Sequence, residues 1–203
     1  VFMKFWANPS YGENEEGVYS KFTWNDADIF LLDDRWFRSN DRMKDSVNGQ
    51  PNEEKRMFGR QQMDWLKNAL LNSNENGGIS FRIIVTGSQV LNQVSNFDCL
   101  RRYPVEYAEL LNFIKENNIN GVVFLTGDRH ISEINKLERS GTYTLYDITS
   151  SPLTSGSSRL RGPEENSPYR VLGQIAEQNY TRITISGARA DRKMTVEFLN
   201  VKG

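Results

Sequence analysis

The sequence predicts a mixed α/β domain in which helices pack as a layer on a β-sheet. Three observations carry this prediction. Short apolar, β-branched runs recur along the chain, two segments of helical period are each followed by such a run, and the chain closes on two alternating segments. This order of elements favours a layered α/β domain over a pure helical bundle or a pure β-sandwich.

The first strands are predicted within residues 18–34, where a loose alternation of apolar and polar residues leads into the apolar run 29–32. Asn25 and Asp26 lie between the two halves of this segment and favour a turn. Residues 40–54 are rich in Asn, Asp, Ser and Gly and have no clear period, which predicts a surface loop.

Two helices are predicted, each followed by a buried strand. The first helix spans residues 59–72, where apolar side chains recur at helical spacing. The second begins at Pro104, a residue that suits the first turn of a helix. Residues 81–85 and 122–125 then form apolar runs that are typical of strands buried on both faces.

The last third of the chain predicts strands and one long loop. Residues 142–149 resemble a strand, and residues 155–167 mix Ser, Gly, Arg and Pro as a loop does. Residues 180–186 and 194–198 alternate apolar and polar side chains. They predict a terminal β-hairpin with one wet face.

Composition excludes several classes of protein. The chain has 203 residues, of which 37% are hydrophobic and 25% are charged, as in an ordinary globular domain. A net charge of -1 and scattered aromatic residues predict no nucleic-acid surface. No apolar stretch approaches the roughly 20 residues that cross a bilayer, so no transmembrane segment is predicted. One cysteine and one histidine exclude a disulfide scaffold and a multi-Cys/His zinc finger.

The most informative segment places Asp128 and His130 directly behind the strand at residues 122–125. A carboxylate and an imidazole together suit zinc, iron or manganese. On extended backbone these two side chains would face the same way, while Arg129 would face the other. The alternative is a turn at Gly127 with a half-exposed histidine and no metal.

A catalytic metal normally needs at least three protein ligands, so further ligands must be sought elsewhere. Three predicted strands end in polar loops, at residues 33–38, 87–92 and 127–130. If those ends share one edge of the sheet, they define a pocket. The other candidate ligands are Asp33, Asp34, Asn92 and Asp147.

Arginines near the first of these loops suggest phosphate recognition. Arg35 and Arg38 follow two aspartates, and the planar guanidinium matches phosphate oxygens. The alternative is a local ion-pair cluster that holds the loop. Arg101 and Arg102 are open to the same two interpretations, a phosphate contact or a solvated pair.

Three segments, taken in order, resemble successive motifs of the PhoD-like alkaline phosphatases. They are FLLDDRWFR at residues 30–38, MFGRQQMDWL at 57–66 and LTGDRH at 125–130. Weaker similarity lies at residues 103–106 and 148–152. The resemblance extends over most of the chain.

The family belongs to the calcineurin-like metallophosphoesterases. The resemblance therefore implies part of a four-layer αββα sandwich, closed here by a carboxyl-terminal β-hairpin. It also implies a centre of divalent or trivalent metal ions (Ca, Fe, Mn or Zn) that activates water against phosphate esters. Asp128 and His130 would be metal ligands, and Arg35 and Arg129 would orient the phosphate or anchor loops.

The chain lacks the Gly-Asp-x-x-Asp and Gly-Asn-His-Asp motifs that the family carries in its amino-terminal half. Residues 1–203 are thus expected to form a single, partial domain, the carboxyl-terminal part of a phosphatase or phosphodiesterase that is inactive alone or nearly so. Its expected partners are the missing amino-terminal half and a phosphate-ester small molecule or phospholipid-like substrate. The resemblance implies export to the periplasm or exterior. The alternative is a non-catalytic binding module on the same scaffold.

Overall fold

A seven-stranded mixed β-sheet forms the centre of the fold in the computed structural model, which describes residues 2–8, 10–95 and 97–203, without the side chains of residues 2 and 3. The helices are α1 (Phe2–Phe5), α2 (Gly59–Glu75) and α3 (Pro104–Glu116). The strands are β1 (Ser20–Trp24), β2 (Ala27–Leu31), β3 (Ser46–Val47), β4 (Gln50–Pro51), β5 (Phe81–Val85), β6 (Val122–Thr126), β7 (Ser132–Leu137), β8 (Leu145–Thr149), β9 (Arg170–Ile175), β10 (Asn179–Ser186) and β11 (Lys193–Asn200).

The strands of the large sheet follow the order β1-β2-β5-β6-β8-β7-β9. Strands β2, β5, β6 and β8 run parallel to one another, while β1, β7 and β9 are antiparallel to their neighbours. The carboxyl ends of the four parallel strands therefore meet at one edge of the sheet. Loops at such an edge commonly carry the functional groups of an α/β protein.

One face of the sheet is covered by α2 and α3. Phe30, Ile84 and Phe124 lie side by side on β2, β5 and β6, and each is fully buried. The helices pack on this row with side chains at helical spacing, which are Met63, Leu66 and Leu70 from α2 and Leu110, Leu111 and Ile114 from α3. The apolar residues whose spacing predicts these helices are thus the residues that the helices contribute to the core.

A carboxylate from α3 caps the amino terminus of α2. Buried Glu106 accepts hydrogen bonds from the backbone N–H groups of Met57 (2.6 Å), Phe58 (3.0 Å) and Gly59 (2.8 Å). These are donors that the first turn of a helix leaves unpaired, and the helix dipole favours a negative charge there. Glu106 therefore links the two helices directly.

The opposite face of the sheet is only partly covered. The antiparallel hairpin β10–β11 lies across it, and two cavities remain, of about 470 Å³ and 380 Å³. Apolar residues of both the sheet and the hairpin line them, including Leu31, Val85 and Leu125 in the first and Phe81 and Tyr146 in the second. This apolar surface, here called the open face, is unusual for a sheet that packs helices on its other side.

The structure confirms most of the predicted elements, including β1, β2, both long helices and the terminal hairpin. The loop at residues 40–54 contains a two-residue strand pair, β3–β4. Strands β7 and β9, which extend the sheet at its far edge, were not predicted from the sequence. Buried Glu133 and Asn135 give β7 a pattern unlike that of an apolar strand.

Among the described residues, no helix combines the length and apolarity that a bilayer crossing requires.

Candidate functional site

Three polar loops meet at the carboxyl edge of the parallel strands, as the sequence predicts. The loop after β6 is tied to the loop after β5, because Gly127 N–H donates to the Gly87 carbonyl at 3.1 Å. The loop after β5 is tied to the loop after β2, because the Ser88 hydroxyl donates to Asp34 at 2.7 Å. The condition stated for a pocket, that these strand ends share one edge of the sheet, is thus met.

Asp128 and His130 line one cavity of about 840 Å³ beside this edge. Asp128 is exposed and His130 is half-buried. Within the described part of the chain, neither side chain makes a hydrogen bond or an ion pair, so the carboxylate oxygens and both imidazole nitrogens are available to a ligand. A paired structural role for these two side chains is not observed.

The backbone at both residues differs from the extended conformation assumed from the sequence. Asp128 has φ of +64° and His130 has φ of +56°, both in the left-handed region. For a residue other than glycine this conformation costs about 1–2 kcal/mol. The surroundings impose it: His130 N–H donates to the Ser151 hydroxyl at 3.1 Å, and the His130 carbonyl accepts from Ser158 N–H at 2.8 Å. Strain of this kind is typical of functional sites.

The remaining candidate ligands do not join Asp128 and His130. In the described ranges, no three His, Cys, Asp or Glu side chains gather as a metal site would require. Asp33 is occupied by backbone N–H groups of Val18, Arg35 and Trp36. Asp34 accepts from Ser88 in the neighbouring loop.

Asn92 and Asp147 are buried and make hydrogen bonds inside the protein. The Asn92 amide oxygen accepts from Val94 N–H at 3.1 Å and Ser95 N–H at 3.0 Å, which shapes its own loop. Asp147 is fully buried and accepts from the backbone N–H groups of Val90 and Leu91, each at 2.8 Å. Both residues organise the loop after β5 rather than face the cavity.

Arg129 also lines this cavity, but its side chain is buried and paired within the protein. Its guanidinium makes a bidentate pair with Glu164, with both N–O distances at 2.9 Å, and donates to Gln89 and Ser95 at 2.8 Å. Both partners in the ion pair are buried. This position corresponds to the anchoring role that the sequence analysis left open for Arg129.

Arg35 lies at the same edge but lines a different cavity, of about 390 Å³. Its side chain is 57% exposed and approaches Asp98 at 3.4 Å. Asp98 in turn lines the cavity of Asp128 and His130. Burial opposes the charged form of Asp98, but the neighbouring guanidinium groups of Arg38 and Arg35 hold its pKa below the usual range.

Asp147 makes the stability of the domain depend on pH. Burial raises the pKa of Asp147 from 3.8 to about 6, although hydrogen bonds from Thr126, Leu91 and Val90 oppose the shift. Between these two pH values the folded state keeps a proton that the unfolded chain has released. The stability from this group is therefore fully present below pH 3.8 and is lost as the pH rises to about 6.

We expect Asp147→Asn to remove this loss, which amounts to about 2–3 kcal/mol. The asparagine oxygen can accept from Val90 and Leu91, and its amide can donate to the Thr126 hydroxyl. Urea unfolding between pH 4 and 7 would measure the difference between wild type and variant. Thr126→Val removes a bond that lowers this pKa and should move the loss to higher pH. Equal pH profiles for wild type and Asp147→Asn would contradict the assignment.

Two further cavity residues, Arg159 and Arg161, were not predicted from the sequence. They lie in the segment predicted as a loop over residues 155–167, and both line the cavity of Asp128 and His130. The available signal was the placement of two arginines on either side of one apolar residue, Leu160. This signal could not be interpreted from the sequence, because only the folded structure shows that the loop returns to the end of β6.

Comparison with known proteins decides the family. The profile of the PhoD-like phosphatases matches residues 6–193, which is nearly the whole chain. The chain belongs to the PhoD-like phosphatase family. The resemblance drawn from the three sequence motifs is thereby confirmed.

Two similar proteins are longer than this chain. The chain is 31% identical over 125 residues to alkaline phosphatase D of Bacillus subtilis (strain 168), a match that covers 57% of this chain and 21% of that enzyme. A solved structure described as the structure of PhoD matches with a TM-score of 0.55 and 19% identity, covering 92% of this chain and 43% of that one. The chain thus spans less than half of either relative, and the structural match supports the mixed α/β fold with its terminal strand pair.

Proposed function

We propose that this chain is the carboxyl-terminal part of a metal-dependent phosphatase or phosphodiesterase that hydrolyses phosphate esters. One observation carries the proposal: Asp128 and His130, whose side chains have no hydrogen-bond or ion-pair partner among the described residues, line the same cavity at the carboxyl edge of the sheet. Membership in the PhoD-like family supports it. The substrate class would be a phosphate-ester small molecule or a phospholipid-like ester, and the protein would be exported.

The donor set fits half of a metal site. A carboxylate and an imidazole suit Zn, Fe or Mn, while Ca would draw on carboxylate oxygens. Asp128 and His130 would hold the ion, and their left-handed backbone presents both side chains without internal partners. When bound, the metal would supply a water of lowered pKa and positive charge for the phosphoryl oxygens. Arg35 would orient the phosphate, while Arg129 would hold the ligand loop in place.

The remaining ligands would come from residues upstream in the same protein. The open face supports this part of the proposal, because it leaves apolar residues of β2, β5 and β6 around a cavity of about 470 Å³. A second sheet that packed there would bury these residues and bring its own loops to the same edge. Residues 1–203 would then be one partial domain of a two-sheet sandwich.

Hydrolysis assays on two chains test this function. A longer chain that includes the upstream sequence, loaded with Zn, Mn, Fe or Ca, should release phosphate from an ester and lose that activity to a chelator. The present chain alone should be inactive or nearly so. If the longer chain binds metal and ester without hydrolysis, the alternative of a non-catalytic binding module is correct and the enzymatic proposal is wrong.

A further inference from the structure

Two arginines in the cavity of Asp128 and His130 have no stabilising partner among the described residues. Arg159 and Arg161 are exposed and line this cavity. Across the described ranges, neither guanidinium makes a hydrogen bond or an ion pair. Each arginine presents a planar fork of donors that matches phosphate oxygens. Unpaired arginines on a cavity wall are therefore available to an anionic ligand.

The segment that carries these arginines is held in a defined position. Leu160, between them, is buried with 6% of its surface exposed. Ser158 N–H donates to the His130 carbonyl at 2.8 Å, and the bidentate pair of Glu164 with Arg129 anchors the other end. Both anchors lead directly to the loop of Asp128 and His130. The two guanidinium groups thus lie on a segment that is already fixed to the rest of the protein, so that less conformational entropy is lost when a ligand binds.

The charge balance of the cavity leaves these arginines free to attract an anion. Three acidic residues also line the wall, and two of them are already paired, Glu164 with Arg129 and Asp98 with Arg38. The third, Asp128, is the candidate metal ligand. Arg159 and Arg161 therefore carry one more positive charge than Asp128 can balance, and a bound metal ion would add further positive charge at Asp128.

The size of the cavity allows more than one phosphate group. Its volume of about 840 Å³ lies within the range of pockets that enclose a whole small ligand. One phosphate at the candidate metal ligands would leave room for the rest of the substrate toward the arginines. A second anionic group on the same substrate would meet them there.

We propose that Arg159 and Arg161 form an anion subsite that binds a second phosphate group of the substrate, distinct from the phosphate that reacts at Asp128 and His130. The inference rests on the proposed function and narrows its substrate class to esters that carry at least two phosphate groups. The subsite acts on binding and orientation. It takes no part in bond cleavage, so its loss should raise KM more than it lowers kcat.

A binding measurement tests the subsite independently of hydrolysis. Inorganic pyrophosphate and orthophosphate are titrated calorimetrically into the longer, chelator-treated chain that includes the upstream sequence. We expect pyrophosphate to bind at least about tenfold more tightly, since charge-assisted bonds from arginine are strong. Arg159→Gln/Arg161→Gln should abolish this preference. The matched control Arg189→Gln/Lys193→Gln removes two exposed positive charges at the opposite edge of the sheet and should retain it.

Hydrolysis of a matched pair of esters provides the second part of the test. For 1,3-propanediol bisphosphate and propyl phosphate, the metal-loaded longer chain should favour the bisphosphate by about tenfold in kcat/KM, carried by KM. The double variant should hydrolyse both esters alike, and added salt should reduce the wild-type preference.

The outcomes separate the two proposals. A pyrophosphate preference that is absent in wild type or survives in the double variant overturns the subsite, even if propyl phosphate is hydrolysed. A preference that depends on Arg159 and Arg161 without hydrolysis of either ester supports an anion site and overturns the proposed hydrolase.

Discussion

Replacement of His130 is expected to lower kcat for ester hydrolysis by at least about 100-fold in the metal-loaded longer chain. The reason is ligand loss: removal of groups that merely support a ligand already costs about 10–100-fold in metal affinity or activity. The imidazole has no other partner in the described structure, so the loss should come from the metal site and leave folding intact. Metal content measured by elemental analysis should fall with activity.

The choice of substitution matters because of the backbone. His130 has φ of +56°, a conformation that asparagine tolerates better than alanine does. His130→Asn should therefore fold with near wild-type stability, and His130→Ala should share its loss of activity. Ser157→Ala is the matched control, because Ser157 lines the same cavity without a metal-ligating imidazole or carboxylate. Full activity and full metal content in His130→Asn would refute the assignment of this ligand.

Replacement of Arg129 by methionine is expected to destabilise the domain by about 3–5 kcal/mol, the range for breaking a buried ion pair from one side. The substitution would leave Glu164 buried without its cation, since both side chains of this pair are at most 7% exposed. It would also remove the hydrogen bonds that the Arg129 guanidinium donates to the side-chain oxygens of Gln89 and Ser95. Urea unfolding at pH 7 with linear extrapolation measures the loss.

A surface pair provides the comparison for Arg129. Arg182 and Glu197 also form a bidentate pair, with both distances at 2.9 Å, but both side chains are exposed on the terminal hairpin. Arg182→Met should change stability little, because water solvates the partner that remains. Arg129→Met/Glu164→Gln should recover part of the loss, because it removes the unpaired buried charge. Equal small effects of Arg129→Met and Arg182→Met would show that the buried pair does not hold the loop.

Periodicity predicted the long helices because their apolar spacing is their packing surface. Met63, Leu66 and Leu70 recur every three or four residues and all enter the core. The apolar runs of β5 and β6 likewise correspond to strands with neighbours on both sides. Local sequence patterns were sufficient to predict a helix or strand wherever burial against the sheet requires an apolar side chain.

Strand β7 was not predicted because its buried side chains are polar, and β9, at the edge of the sheet, was not predicted because it is largely exposed. Glu133 of β7 is fully buried, and it is acceptable there only since Arg170 of β9 reaches it at 2.7 Å and Gln89 donates to it at 2.7 Å. These partners are 37 and 44 residues away in sequence. No local pattern records such a pairing, because the free energy of a buried charge depends on groups supplied by the fold.

The sequence alone predicted the fold class and the family, and it selected Asp128 and His130 as candidate ligands, because apolar periodicity and the order of motifs are local properties of the chain. Tertiary structure decided which polar residues face the cavity. It assigned Asp33, Asn92 and Asp147 to internal hydrogen bonds, turned Arg129 inward to Glu164 and brought Arg159 and Arg161 beside the candidate ligands. The physical reason is that a polar side chain takes the partners that the folded chain brings within reach, and these partners lie far apart in sequence.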